Sequence, residues 1–372
     1  MMILKKDCRH FPGSYPCSFN KYRGQLCSNC AYYKSRGYRI LIIKLDAIGD
    51  VLRTTSLLPA IKSKYPESYI VWITKSNAES IFKYNNYVDE VWTVEKDAIA
   101  RLNIETFDLV INTDADKYAC SLATMAKCKE RLGMALDESG IVYPVNHSAV
   151  EWLEMGAFDQ YKQLNKKTYQ QIIHEICRLK YYRSEPILTL SEKEINSARR
   201  YLEMKNIGQG DRIIAVNLGG GERWKKKCWT KEHIISFSKI LISMAGFHLL
   251  IIGGPYEREL LKELSIHLRT KTSFSGHCMS LREIASLVAC CSVVVTGDTL
   301  VLHMATALKI PVVALFGPTS ANEIDLYDRG EKLIATDCHT CYLTECEKTP
   351  TCMELITPET VIGSVMRLIK QE

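Results

Sequence analysis

The chain has 372 residues, 47% of them hydrophobic and 24% charged, and carries a formal charge of +6. This composition describes a globular protein with room for two domains of about 150 residues each, and it excludes a disordered chain. The charge is modest for the length: it suits phosphate-bearing substrates or an anionic membrane surface and gives little support to nucleic-acid binding.

No stretch approaches 18 uncharged apolar residues, so no membrane span is expected. The opening MMILKKDCRH has no long apolar segment of the kind a secretory signal needs, which places the expected chain in the cytosol. Residues 1–37 are rich in Cys, Tyr, Gly and Ser, show no regular period, and read as an N-terminal extension. From Arg39 onward apolar strand segments alternate with helix-period segments. Strands are expected at 39–44, 69–73, 89–94 and 107–112, with short ones at 129–134 and 141–145. Helices are expected near 51–64, 76–84, 96–104 and 115–127, and residues 149–183 are mostly helical. The rhythm then repeats, with strands at 212–217, 247–252, 272–275, 292–296 and 311–316. Helices fall at 191–205, 230–244, 255–268, 280–290 and 299–308, and a last one starts at Thr357 with Pro358 in its first turn. Alternation of this kind implies parallel sheets with right-handed crossovers, hence an α/β architecture of two doubly wound domains, 38–185 and 186–356, facing a central cleft, followed by a C-terminal helix over 357–372.

Three loops sit where such sheets bind ligands, at the C-terminal ends of strands. The first is Asp46-Ala47-Ile48-Gly49-Asp50 after the run Ile40–Ile43. Asp50 serves there either as a helix N-cap or as a general base for a substrate hydroxyl. A helix N-terminus favours its carboxylate, which keeps it ionised and weakens it as a base. The second is NLGGGERWKKKCWT, Asn217–Thr230, whose glycines Gly219, Gly220 and Gly221 and lysines Lys225, Lys226 and Lys227 suit a diphosphate, or else form a solvated basic turn; GK[ST] is missing, so this is no Walker sequence. The third is Thr296-Gly297-Asp298-Thr299, ahead of a helix carrying His303 and Met304, where Asp298 is either an N-cap or an acceptor for sugar hydroxyls. Together they suggest a nucleotide-sugar transferase with the acceptor on one domain and the donor on the other.

The same residues carry a resemblance. DAIGDVLRTTSLLPAIK resembles the xxxGDVLxTxPxL opening of the ADP-heptose heptosyltransferases of glycosyltransferase family 9. KCWT resembles that family's Lys-x-Trp segment, and TGDTLVLHMATALKIPVVALFGPT its [ND]-D-[ST]-G-xx-H-xA block. The resemblance runs from about Arg39 to Ile369 and implies the GT-B fold. It makes Asp50 the general base, with Gly49 beside it, Lys227 the lysine on the donor diphosphate, Asp298 and Thr299 the pair at the donor site, and His303 the histidine of the late block. Met279 falls in a segment near the adenine, and Glu257 where a ribose-binding acid is expected. Leu300 departs from the glycine of better-known members and puts the exact sugar in question. The implied reaction is an inverting, metal-independent transfer of heptose from ADP-heptose to an acceptor hydroxyl, with the lipopolysaccharide inner core as the leading acceptor and no catalytic cofactor. A protein hydroxyl as acceptor, another nucleotide sugar as donor, a metal-dependent binding or regulatory protein without turnover, and a redox-sensing role for the cysteines are the rival readings. An enzyme of this kind would work at the inner face of the inner membrane.

Fifteen cysteines are many for a cytosolic chain. Cys120, Cys128, Cys177, Cys228, Cys278, Cys290 and Cys291 are scattered and read as small buried hydrophobes. The other eight form two groups, Cys8, Cys17, Cys27 and Cys30 near one end and Cys338, Cys341, Cys346 and Cys352 near the other, each with one CxxC pair. Thiolates at this spacing suit tetrahedral Zn²⁺ or Fe, separately or drawn from both groups, and labile unligated thiols are the alternative. The C-terminal group resembles the cysteine-rich segment of many family members, which in a branch heptosylating autotransporter proteins holds a structural iron. That likeness implies a structural role here.

Overall fold

The computed structural model describes residues 3–208, 210–219, 227–268, 271–276, 278–335 and 340–370. Two six-stranded sheets organise it. The first contains β1 (Arg39–Ile43), β2 (Tyr69–Thr74), β3 (Glu90–Thr93), β4 (Thr106–Asn112), β5 (Lys127–Leu136) and β6 (Val142–Pro144) in the order β3-β2-β1-β4-β5-β6, parallel except for the antiparallel β5–β6 pair. The second contains β7 (Arg212–Asn217), β8 (Phe247–Ile252), β9 (Thr272–Phe274), β10 (Val293–Gly297), β11 (Val312–Phe316) and β12 (Gly330–Ile334), all parallel, in the order β12-β11-β10-β7-β8-β9. Both are the doubly wound arrangement, in which chain order reverses beside the first strand: between β1 and β4 in one sheet, and between β7 and β10 in the other. Ligands bind outside the strand ends at such reversals.

The central strands are near-continuous apolar runs because each is covered on both faces. Ile40 and Ile42 enter one core and Leu41 and Ile43 the opposite one. Ile214 and Val216 are divided in the same way from Ile213 and Ala215. The core holding Ile40 and Ile42 also takes in Ala285 and Met304 of the second domain, so the domains share buried surface. Arg282 fastens that seam: its guanidinium donates to Glu194 (2.6 and 2.9 Å), to Thr189 O (2.7 Å) and, across the domains, to Ser80 O (3.0 Å).

The structure departs from the sequence reading at several places. The expected 51–64 helix is two, Ile48–Thr54 and Leu57–Lys64. Pro59 explains the break, since it has no N–H for the Thr55 carbonyl and its ring would crowd that group. Thr55 Oγ1 also donates to Leu52 O (2.6 Å) and accepts from Ile187 N (2.7 Å). Strand β12 was not expected: it is a half-exposed edge strand, so its sequence GEKLI lacks the buried apolar run. Residues 76–82 form a 3₁₀ helix rather than an α-helix. Of the scattered cysteines, Cys120, Cys177 and Cys291 are buried as expected, whereas Cys278 is exposed on the loop after β9. The C-terminal helix, Pro358–Ile369, buries Val361, Val365, Leu368 and Ile369 in the second domain's core. Among the described residues no helix is long and apolar enough to cross a membrane.

Candidate active site

A cleft of about 900 Å³ opens between the strand ends of the two sheets. The β1 side contributes Gly49, Asp50 and Arg53. The β7 and β10 side contributes Gly219, Lys227, Glu257, Asp298, Thr299 and His303. Eight of the ten residues expected at the site are therefore brought to one cavity. Gly220 lies outside the described residues. Met279 does not line the cleft; it follows β9 and packs half-buried against the second domain's core.

Asp50 occupies the first turn of the Ile48–Thr54 helix but is not its N-cap, a position held by Ala47. Its Oδ1 accepts from Arg53 Nη2 at 2.5 Å, and the Arg53 guanidinium lies 4.0 Å from the centre of the Tyr169 ring. Lys44 is buried behind it and pairs with Asp114, whose Oδ2 accepts from Leu45 N at 2.8 Å. A buried lysine requires such a partner. Burial acts to raise the Asp50 pKa, but the cations Arg53 and Lys44 outweigh it and hold the carboxyl well below the usual range. Asp50 is thus ionised at any working pH.

On the opposite wall Lys227 Nζ donates to Asp298 Oδ2 (2.8 Å), and Thr319 Oγ1 donates to the same oxygen (3.0 Å). Asp298 is not an N-cap either; Thr299 holds that position. Against the upward pull of burial, the cations Lys227 and Arg53 keep the Asp298 carboxyl below its ordinary value. Asn217 ties the two strand-end loops together, its Nδ2 donating to Thr296 Oγ1 (3.1 Å), Thr299 Oγ1 (3.0 Å) and Gly219 O (3.1 Å). The Trp229 of KCWT is structural: its indole N–H donates to Ile356 O (2.8 Å) and its ring is buried in the core, which pins the chain on either side of Cys228. Gly297 lets that chain come close, for a β-carbon there would stand 2.6 Å from Lys227 O.

His303 Nε2 lies 3.9 Å from Asp298 Oδ1, an ion pair only if the imidazole is charged. Burial, reinforced by Arg53, pushes the His303 pKa down to about 3 despite the neighbouring carboxylates. The ring is therefore neutral near pH 7, and the contact is dipolar. Leu300 lines the cleft and also packs against the first domain's core.

The sequence reading did not single out Arg53, Lys44, Asp114, Asn217 or Glu323. Glu323 lines the cleft half-buried, accepts from Tyr342 OH at 3.3 Å, and has its pKa raised by burial in spite of Arg53. Its own carbonyl accepts from Tyr169 N (3.0 Å), linking the loop after β11 to the first domain. The one signal available was position: Arg53 stands three residues past Asp50, on the same helical face.

The C-terminal cysteine group is not gathered in the same way. Cys352 is buried at the start of the Cys352–Leu355 helix, Cys341 and Cys346 are half-buried, and Cys338 lies outside the described residues. Among the described residues no three His, Cys, Asp or Glu side chains stand as a ready-made metal-holding group.

The profile of glycosyltransferase family 9 (heptosyltransferase) matches residues 98–352. The chain belongs to this family. The match begins beyond the loop that carries Asp50, so it covers the loops after β7 and β10 and not the one after β1. Lipooligosaccharide heptosyltransferase 2 of Haemophilus influenzae is 26% identical over 178 residues, 42% of this chain and 49% of that protein, so the chain spans about half of that relative's length. Lipopolysaccharide heptosyltransferase 1 of Escherichia coli K12 is 25% identical over 313 residues, 79% of this chain and 92% of that protein. The solved structure of the E. coli ADP-heptose lps heptosyltransferase II superposes with a TM-score of 0.68 at 19% identity, over 90% of this chain and 99% of the other. That likeness shows the shared two-domain fold of the family 9 enzymes.

Proposed function

We propose that this family 9 protein transfers heptose from ADP-heptose to an acceptor hydroxyl, with the lipopolysaccharide inner core as acceptor and the inner face of the inner membrane as the place of work. The observation that carries the reading is the convergence of Asp50, from one chain reversal, with Lys227, Asp298 and His303, from the other, on one cleft. The names of the two sequence relatives support heptose as the transferred sugar.

In this reading Asp50 accepts the proton of the attacking hydroxyl as its oxygen bonds to the anomeric carbon. The bond from that carbon to the diphosphate breaks on the opposite face, which inverts the centre. Asp50 is a weak base because Arg53 and Lys44 stabilise its anion, so proton transfer comes late, once bonding to carbon has acidified the hydroxyl. Arg53 fixes the direction of the Asp50 carboxylate. Lys227 and the loop N–H groups around Asp298 and Thr299 meet the charge that grows on departing ADP. When donor enters, its diphosphate competes with Asp298 for Lys227. In this reading Glu257 takes ribose hydroxyls, and Glu323, which accepts from Tyr342, takes sugar hydroxyls. The neutral His303 donates or accepts a hydrogen bond without adding charge.

We also infer a structural Zn²⁺ or Fe ion at Cys338, Cys341, Cys346 and Cys352. The support is their spacing and thiolate chemistry, with Cys352 held firmly by the core.

Calorimetry with ADP-heptose against ADP-glucose and UDP-sugars tests the donor. The reading expects ADP-heptose to bind at least about tenfold tighter than the others, roughly 1.4 kcal/mol. Equal affinities would remove heptose. Transfer to a peptide but not to a lipopolysaccharide core would replace the acceptor.

A further inference from the structure

The N-terminal extension presents a stability problem that its apolar residues do not solve. Residues 3–37 contain one short helix, Ser18–Arg23, a 3₁₀ turn, Cys27–Asn29, and a single antiparallel bridge between Cys8 and Ser35. Flanking that bridge, Arg9 N donates to Lys34 O and Arg36 N to Asp7 O, both at 2.8 Å, so the segment between is a closed loop. It docks on the first domain through Arg9, whose Nη2 donates to Glu67 O (3.2 Å) and Ser68 O (3.1 Å), and through Arg36 over the Tyr69 ring at 5.1 Å. Those contacts lie at the start of β2, the end of the sheet away from the cleft. Within residues 3–37 only Cys8 is buried. Ordering that many residues costs far more than one buried side chain returns, and small segments in this position rely on a cross-link or a metal.

The candidates for that role converge. Cys8, Cys17, Cys27 and Cys30 line a single small cavity of about 20 Å³, room for about one water-sized sphere, and His10 stands in its wall. No disulfide joins these thiols. Phe19, stacked on Tyr32 at 4.2 Å and met edge-on by His10 at 5.0 Å, closes one side. Cys27 and Cys30 bracket the 3₁₀ turn, which brings a CxxC pair to one side of the cavity. Four thiolates around a divalent ion leave a net charge of about −2. The extension matches this with seven Lys or Arg against one Asp in residues 3–37.

We propose that Cys8, Cys17, Cys27 and Cys30 bind one thiolate-preferring metal ion, Zn²⁺ or Fe, that organises the extension, a site separate from the transferase cleft and from the C-terminal cysteines. The thiols surround the cavity without yet forming a metal-ready set, so binding draws the side chains inward. Four S–H bonds are replaced by four S–metal bonds, and four protons leave to solvent.

The test uses the full-length chain purified from zinc- and iron-supplemented medium. Metal analysis compares wild type with the double variant Cys27→Ser, Cys30→Ser and with Cys341→Ser. The proposal expects the double variant to lose one ion per chain and to be cut by trypsin at Lys21 or Arg23 at least tenfold faster, while Cys341→Ser keeps that ion. A second measurement needs no variant: iodoacetamide mapping of wild type before and after chelation should find Cys8, Cys17, Cys27 and Cys30 protected together and released together. Unchanged metal content in the double variant, equal alkylation of the four with and without chelator, or a native mass showing these thiols paired as disulfides would each overturn it.

Discussion

Gly49 of the first domain lies so close to His303 of the second that a β-carbon on Gly49 would stand 2.6 Å from the His303 Cδ2 atom. The helix bearing Asp50 and the helix bearing His303 therefore meet through a glycine, and this contact sets how far apart the two walls of the cleft stand. Gly49→Ala should force the helices apart and loosen the alignment of base and donor. The expected result is a fall of about 10- to 100-fold in kcat/KM with circular dichroism unchanged, since misplacements of this size cost that much in a positioned reaction. Kinetics of the purified variant check it.

Arg53 is buried, and two of its nitrogens, Nε and Nη1, have no hydrogen-bond partner among the described residues. Removing it leaves Asp50 with less stabilisation of its anion. Arg53→Ala should lower kcat by about 10²-fold and move the acid limb of kcat/KM upward, toward the ordinary carboxylate value of about 4. Arg53→Lys should restore part of the charge effect and little of the rate, because an ammonium cannot reproduce the planar contact with Tyr169. A pH–rate profile of both variants separates direction from charge.

His303 is a test in which stability, not turnover, is read. Its folded pKa of about 3 lies below the unfolded value of about 6.5. Between those values the unfolded chain binds more protons, so stability rises with pH across the window and is fully present above it. Between pH 7 and pH 5 this one residue should cost wild type about 2 kcal/mol, and His303→Gln should lose that part of the slope. Denaturant unfolding at the two pH values measures the difference.

Much of this was legible in the order of residues, and the reasons are particular. Ile40–Ile43 and Ile213–Val216 read as strands because parallel strands covered on both faces must be apolar throughout. The turns after them read as binding loops because Gly49, Gly219 and Asp298 punctuate strand ends. What was hidden depends on partners distant in sequence. Lys44 looks like any surface cation until Asp114 is seen beside it. Asp298 looks like an N-cap until Lys227 and Thr319 are found on its carboxylate. Glu323, between the Gly-Pro turn and the edge strand β12, carries no local pattern that marks a cleft residue. The extension was legible in its cysteines alone, since only the closed chain shows that Cys8 and Cys30 share a cavity.

Lys227 reaches the cleft from a chain held down by Trp229, so removing its ammonium should not disturb the fold. Lys227→Ala should weaken ADP binding by about 10- to 100-fold, the size of a lost charge-assisted contact to phosphate. The loss should shrink as salt is raised, because the partner charges are screened. Calorimetry at two ionic strengths gives both numbers.

The most direct measurement takes Asp50→Asn, which keeps the side chain's shape and removes its charge. Transfer from ADP-heptose and affinity for ADP are measured on the same preparation. The account predicts turnover reduced by at least about 10³-fold with ADP affinity within twofold of wild type. Turnover within tenfold of wild type would contradict it and take the base away from Asp50.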